Sequence, residues 1–183
     1  MASTNTGKVA TAEELLAAAQ DIRAQSEYCW AITSNVDSGV SARVMGRVAN
    51  QPGEDEWTVW FLVNSRSRKA SDVAGSSCLS VAYGMPTLTN YAVFAGRAIL
   101  VADRSEISRR WRASWKSLFA RGEHDPDIAF IKLETDRIEV FLEGMQRYAA
   151  LKRDSGHTWR VVPGEPFGPR VQATARVSSE PLK

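Results

Sequence analysis

The chain has 183 residues, of which 44% are hydrophobic and 24% charged, as in one globular domain. Its formal charge of +2 is too small to favour nucleic acid or an anionic membrane as a partner. No segment has the roughly 20 apolar residues of a spanning helix or the pattern of a secretory signal. Two cysteines cannot make a disulfide framework. We therefore expect a cytoplasmic protein.

The first half of the chain predicts a helix followed by strands. Thr11 and Glu14 form a capping-box pattern, and an apolar face at helical spacing follows it: Leu15, Leu16, Ala19 and Ile22. Aromatic and β-branched residues then predict strands over residues 28–34, 40–48 and 57–63, with a tight turn at 37–39. Ser67 is placed to cap a short helix that Gly75 ends.

The second half continues this pattern. Strands are predicted over residues 78–84 and 91–102, the latter with a bulge or close backbone contact at Gly96. Asp103 and Glu106 form another capping-box pattern and open a helix to about residue 120, whose apolar face is Ile107, Trp111, Trp115 and Leu118. A turn at 134–136 predicts a hairpin of strands 128–133 and 137–142, and two more strands are expected over 147–152 and 158–162.

These elements predict a mainly β fold with flanking helices, a compact antiparallel barrel of six or seven strands. We expect the barrel domain to span residues 11–162, between a flexible N-terminus (1–10) and a mobile C-terminal tail (163–183). Side chains fill the interior of so small a barrel. A cofactor would therefore bind outside it or between two subunits.

A basic loop precedes the second predicted helix. Residues 64–69 contain Arg66, Arg68 and Lys69 together with two serines. A helix N-terminus with hydroxyls and cations beside it favours phosphate binding, but such runs are also common as solvated surface turns.

On the predicted strand 40–48, alternation places Arg43, Met45 and Arg47 on one face. Two cations beside an apolar side chain indicate a face that meets a ligand or a second subunit. The alternative is an exposed edge strand, where charges prevent aggregation.

Several segments, in their order along the chain, resemble a known family. They are Arg43-Val44-Met45, then Trp60-Phe61-Leu62-Val63 followed by Ser67-Arg68-Lys69, and then the aromatic-to-glycine stretch over residues 91–96. Residues 119–127, leading into 131–133, are similar to one branch in particular. The chain from about residue 14 to 144 resembles the flavin-binding split barrels related to pyridoxamine 5'-phosphate oxidase, and within them the general stress protein 26-like branch.

This resemblance implies a split antiparallel β-barrel that binds flavin mononucleotide (FMN) between the subunits of a homodimer. It assigns the phosphate to Ser67, Arg68 and Lys69 with Arg43, and the flavin ring to the two neighbouring strands. On the proposed flavin face of these strands, we expect Met45 and Trp60 to be exposed. The implied cofactor-binding residues are Arg43, Val44, Met45, Trp60, Phe61, Leu62, Val63, Ser67, Arg68 and Lys69. No catalytic residue is identified, because the flavin itself supplies the redox chemistry.

The chain departs from the family pattern at two places. Glu139-Val140-Phe141 stands where the family often has Glu-Tyr-Trp or Glu-Phe-Trp. Arg147 is followed by Tyr148-Ala149-Ala150 rather than by the Arg-x-His type of substrate motif. These departures count against a true pyridoxamine 5'-phosphate oxidase. We expect a flavin-dependent oxidoreductase of unknown substrate, with two alternatives: a non-catalytic flavin carrier or stress sensor, and a split barrel that binds FAD, a deazaflavin or haem.

Other candidate residues predict little chemistry. His124 lies between Glu123 and Asp125, but three adjacent side chains cannot all face one ion, so we expect no metal. Cys29 and Cys78 lie in apolar strands and are expected in the core. Trp111 and Trp115 are expected in core or dimer contacts.

Overall fold

The computed structural model describes residues 10–35, 39–84, 89–143 and 149–162. The helices are α1 (Ala12–Gln25), α2 (Arg68–Ser76) and α3 (Arg104–Arg110), with 3₁₀ turns at Ala113–Ser117 and Gly122–His124. The strands are β1 (Tyr28–Asn35), β2 (Gly39–Gly46), β3 (Thr58–Asn64), β4 (Cys78–Gly84), β5 (Tyr91–Val101), β6 (Ile128–Phe141), β7 (Ala149–Arg153) and β8 (Trp159–Val162). The tail predicted at 163–183, residues 1–9 and most of the turn predicted at 37–39 lie outside the described residues.

Antiparallel pairing joins all eight strands, in the order β2-β1-β4-β5-β6-β7-β8, with β3 on β6. A bridge between Val48 and Trp60 links the chain after β2 to β3. This bridge closes strands β1 to β6 into a barrel. The predicted fold class is therefore confirmed.

The long strand β6 produces the split of the barrel. One edge of β6 pairs with β5 from Phe130 to Phe141. On the other edge, its first half pairs with β3 and its second half with β7. The sheet therefore divides at β6 into a closed barrel and a β7–β8 extension.

The hairpin predicted across residues 134–136 is wrong, because β6 runs through them. Its register against β5 shifts between Ala95 and Gly96, which leaves Asp136 as the extra residue of a bulge. A Cβ atom on residue 96 would lie 2.1 Å from the carbonyl oxygen of Glu134. The bulge thus requires glycine at residue 96, where the sequence predicted a close contact.

The helix predicted from residue 103 to about 120 is also too long. Asp103 caps α3 as expected, but the helix ends at Arg110, and Trp111 has extended backbone angles. Trp111 and Trp115 nevertheless meet edge to face, and Trp115 reaches Phe130. Leu118, predicted on the apolar face, is 68% exposed. Packing of the two tryptophans against the barrel thus outweighs helical periodicity here.

Within the described ranges, the buried hydrophobic residues form two clusters. The main one fills the barrel and is closed at one end by α1, whose Leu15, Ala19 and Ile22 are buried as the apolar pattern predicted. The second lies between the outside of the barrel and the α3 region, and it contains Trp60 and Phe130. The barrel interior is therefore occupied by the chain's own side chains.

Candidate functional site

The loop between β3 and α2 is held by its own polar groups. The Asn64 side chain accepts a hydrogen bond from the Arg66 N–H at 2.8 Å, and the Asn64 carbonyl accepts one from the Ser67 N–H. Arg66 forms an ion pair with Asp127 at 2.9 Å. Ser67 caps α2, with its hydroxyl accepting from the Ala70 N–H. The first N–H groups of such a helix lack acceptors within the helix and are available to an anion.

Arg43 reaches from β2 into a polar cluster beneath α2. Its Nη2 donates to Oδ2 of Asp72 and to Oγ1 of Thr33, both at 3.2 Å. Thr33 in turn donates to the same Asp72 oxygen at 3.0 Å. Asp72 and Thr33 are 1% and 3% exposed. The other terminal nitrogen of Arg43, Nη1, is buried and has no hydrogen-bond partner among the described residues.

Lys69 lies in the first turn of α2 and is half-buried. Its pKa is lowered from the ordinary lysine value, first by burial and second by the positive charge of Arg43. Arg68, beside it, is exposed. This site combines two mutually repelling cations, a helix N-terminus and a guanidinium N–H to which the described residues offer no acceptor. Together these groups suit an anion with several oxygens.

The apolar residues predicted to contact the cofactor lie in different environments. Met45, Phe61 and Val63 belong to the barrel core. Trp60 is 4% exposed and faces the second cluster with the half-buried Leu62. The alternation along β3 therefore turns neighbouring side chains to opposite faces. The expectation that Met45 and Trp60 are exposed is wrong, because each is covered by the chain itself.

The outer face of β1 and β2 is apolar and exposed. Trp30 and Val44 are directly opposite each other across the two strands, and each is 54% exposed. Tyr28, two residues before Trp30 on the same face, is 58% exposed. Val40, near the start of β2 and on the same face as Val44, is 73% exposed. We call Tyr28, Trp30, Val40 and Val44 the apolar face.

The two cysteines differ in environment. Cys29 is buried as predicted, donates to the Met45 carbonyl, and burial raises the pKa of its thiol to about 12. Cys78 is exposed, contrary to expectation, because it begins β4 on the outward side while Leu79 turns inward. In the part of the chain that the structure describes, no group of three or more His, Cys, Asp or Glu side chains is arranged to hold a metal.

A surface cleft of about 730 Å³ lies away from these cations. It is bordered by α1, by residues 54–57 before β3 and by the β7–β8 hairpin. Since the basic loop follows the other end of β3, the cleft and the loop lie at opposite ends of that strand. The cleft contains none of the predicted site residues.

Sequence reasoning missed Thr33 and Asp72. The available signal for Thr33 was alternation on β1, which turns Cys29, Ala31 and Thr33 inward. For Asp72 it was helical spacing, which places the residue beside the buried Ala70 and Val73 of α2.

The sequence over residues 13–152 matches the model of the family Pyridoxamine 5'-phosphate oxidase like. The chain belongs to this family. The resemblance inferred from the sequence is thereby confirmed. No curated protein sequence is similar enough to count as a match.

Solved structures share the fold of this pyridoxamine 5'-phosphate oxidase-like chain. A pyridoxamine 5'-phosphate oxidase-related, FMN-binding protein from Nostoc punctiforme has a TM-score of 0.63 and 14% identity, covering 88% of this chain and 99% of its own. General stress protein 26 from Bacillus anthracis has a TM-score of 0.57 and 15% identity, covering 80% of this chain and 97% of its own. PhzG from Burkholderia lata, in complex with tetrahydrophenazine-1-carboxylic acid, has a TM-score of 0.61 and 17% identity, covering 84% of this chain and 89% of its own.

The two departures from the family pattern differ in what the structure describes of them. Phe141, at the late-strand departure, stacks on Tyr91 with ring centroids 5.5 Å apart, whereas Val140 is buried. Arg147, at the other departure, lies outside the described residues. None of the helices within the described ranges is both long and apolar enough to cross a bilayer.

Proposed function

We propose that this pyridoxamine 5'-phosphate oxidase-like protein binds FMN and is a flavin-dependent oxidoreductase whose substrate is unassigned. The observation that carries the proposal is the buried Nη1 of Arg43, which has no hydrogen-bond partner within the described ranges. Beside it lies Lys69, whose pKa is lowered by burial and by the charge of Arg43. A buried donor without an acceptor is costly, and a phosphate group supplies acceptors. The similarity of the fold to an FMN-binding protein supports the same ligand class.

In this proposal, the phosphate is held by Arg43, Ser67, Arg68 and Lys69. The cations supply charge-assisted hydrogen bonds, and the N-terminus of α2 supplies N–H groups and the positive end of its dipole. A phosphate dianion also offsets the repulsion between Arg43 and Lys69. Once bound, the flavin would accept and return electrons or a hydride.

The ring would lie along β2 and β3, where the resemblance places Val44, Met45, Trp60, Phe61, Leu62 and Val63. Because the side chains of Met45, Phe61 and Val63 are in the core, these positions would contribute their main chain. Val44 is exposed and offers its side chain. The phosphate residues therefore carry most of the specificity that we assign to this chain.

We also propose that the protein is a homodimer. Large apolar side chains gathered on one exposed face mark an interaction surface, and the apolar face lies on β2, the strand that carries Arg43. A second copy seated there would cover Trp30 and Val44 and complete the cofactor cleft.

The cysteines support a cytoplasmic location for this proposed flavoprotein. Both Cys29 and Cys78 are free thiols, and Cys78 is exposed. Exposed free thiols suit a reducing compartment.

Flavin titration tests the proposed ligand. We expect the purified protein to bind FMN with a flavin absorption spectrum and much more tightly than riboflavin, which lacks the phosphate. Equal affinity for the two would contradict the phosphate assignment, and tighter binding of FAD, a deazaflavin or haem would identify another cofactor.

Turnover separates an oxidoreductase from a carrier or sensor. We expect a nicotinamide to reduce the bound flavin rapidly and an acceptor to reoxidise it. A bound flavin that a nicotinamide does not reduce, and that no acceptor reoxidises after reduction with dithionite, would favour the carrier.

A further inference from the structure

We propose that Asp72 and Thr33 are positioning residues that hold the guanidinium of Arg43 ready for the FMN phosphate. This inference rests on the proposed function and extends it to two residues that do not themselves contact the phosphate. Both are buried, and each lies on a different element from Arg43: Thr33 on β1 and Asp72 on α2.

The three side chains form a closed triangle of hydrogen bonds. Arg43 Nη2 donates to both Thr33 Oγ1 and Asp72 Oδ2, and Thr33 donates to that same Asp72 oxygen. The triangle engages one terminal nitrogen of the guanidinium and leaves the other, Nη1, buried without a partner in the part of the chain that the structure describes. Because a guanidinium is planar and rigid, fixing Nη2 also fixes the direction in which Nη1 donates.

Holding Arg43 in advance favours binding. A free arginine side chain has many rotamers, and restricting them when the ligand arrives weakens the complex. In this protein the restriction is already made by folding. The side chain of Arg43 is only 18% exposed, so the surrounding structure supports the same orientation.

The charge of Asp72 makes the proposal testable, because electrostatic repulsion and positioning predict opposite effects of Asp72→Asn on FMN affinity. A carboxylate near the phosphate site repels a phosphate, so electrostatics alone predicts that Asp72→Asn tightens FMN binding. Positioning predicts that the same change weakens it, since the neutral amide holds the guanidinium less strongly.

The experiment compares FMN with riboflavin in Asp72→Asn, Thr33→Val and Thr33→Ser. We expect the first two changes to weaken FMN binding roughly tenfold, the equivalent of one hydrogen bond, and to leave riboflavin binding unchanged. Thr33→Ser keeps the hydroxyl and should bind FMN like the unmodified protein. If Asp72→Asn does not fold, the Thr33 pair gives the answer by itself.

A second arm uses Arg43→Gln. Without the guanidinium, Asp72 only repels the phosphate, so Arg43→Gln/Asp72→Asn should bind FMN more tightly than Arg43→Gln alone. The sign of the Asp72 effect would thus reverse when Arg43 is absent. A purely structural role does not produce this reversal.

The failures are distinguishable. An unmodified protein with no preference for FMN over riboflavin overturns both the proposed function and this inference. An FMN affinity that neither Thr33→Val nor Asp72→Asn lowers, or tighter FMN binding by Asp72→Asn, overturns positioning alone. Positioning is also overturned if these variants lose FMN and riboflavin affinity in parallel and in proportion to the fall in their melting temperatures.

Discussion

The guanidinium carbon of Arg110 lies 3.6 Å from the centroid of the Trp60 ring. The Arg110 side chain is fully buried, and it forms ion pairs with Glu54 and Glu106. One arginine thus joins α3, the loop before β3, and β3 itself. The cation–π contact with Trp60 and the ion pairs with the two carboxylates compensate the burial of the Arg110 charge.

Arg110→Ala should destabilise the fold by about 3–5 kcal/mol, because removing one partner of a buried ion pair leaves the others uncompensated. The free energy of unfolding in urea measures this. Arg109→Ala is the matched control: Arg109 also bonds to Glu54 and Glu106, but its side chain is 46% exposed. We expect that control to change stability by less than about 1 kcal/mol, and similar losses in both variants would contradict the role given to Arg110.

The same ion pairs predict acid sensitivity. Burial raises the pKa of Glu54 and of Glu106, but hydrogen bonds and the charges of Arg109 and Arg110 outweigh it and leave both pKa values lowered. The unfolded chain therefore takes up protons first as the pH falls, and stability is lost below about pH 4.5, the ordinary value for these carboxyls. Unfolding free energies between pH 7 and pH 3 should show this loss, and Arg110→Ala should show a shallower one.

Gly96→Ala should destabilise the protein by about 1–3 kcal/mol or more. The new methyl group would lie 2.1 Å from the Glu134 carbonyl oxygen, so β5 and β6 must separate at the bulge. Gly75→Ala is the control, because residue 75 lies in α2 with open space around it. Alanine there should stabilise by about 0.5–1 kcal/mol. Thermal unfolding of both variants gives the comparison, and a neutral Gly96→Ala would show that the bulge tolerates a side chain.

The sequence predicted elements best where local chemistry decides them. The caps at Thr11 and Ser67 are where the pattern placed them, because a capping hydroxyl needs only its own helix. The errors at Asp136 and Trp111 have a different cause. A polar triplet within a strand resembles a turn until the partner strand is known, and only the facing barrel surface ends α3 early.

In the candidate site too, local sequence predicts some residues, whereas others depend on contacts between distant segments. Arg43 and Lys69 could be selected from the sequence because alternation places Arg43 beside Met45 on one strand face and Lys69 follows a capping serine at a helix start. Their charges influence each other in the structure. Alternation and helical spacing could place Thr33 and Asp72 on inward faces, but not together with Arg43, since that contact depends on the β1–β2 register and on how α2 packs against these strands. The burial of Trp60 likewise depends on Arg110, fifty residues away in the chain.

Replacing both Arg68 and Lys69 by alanine should weaken FMN binding by about 3–6 kcal/mol if each makes one charge-assisted phosphate contact. Fluorescence titration with FMN measures the loss, and riboflavin binding should change little. Arg66→Ala is the control, because Arg66 lies in the same loop but pairs with Asp127. Near-normal FMN affinity in the double variant, or loss of its fold, would assign the loop another role.

Trp30→Lys should convert the proposed homodimer into a monomer. Trp30 lies in the middle of the apolar face, opposite Val44, and a lysine there would have to be buried without a partner. An interface built on this face should bury more than roughly 2,000 Å² in total.

Light scattering on the purified variants decides the assembly. Leu118→Lys is the matched control, since Leu118 is 68% exposed in the 3₁₀ region, away from the apolar face, and it should leave the dimer intact. Because the second copy is proposed to complete the cofactor cleft, Trp30→Lys should also lower FMN affinity while the far-ultraviolet circular dichroism stays unchanged. A stable monomer of the unmodified protein that binds FMN tightly would contradict the shared site, whatever the variants do.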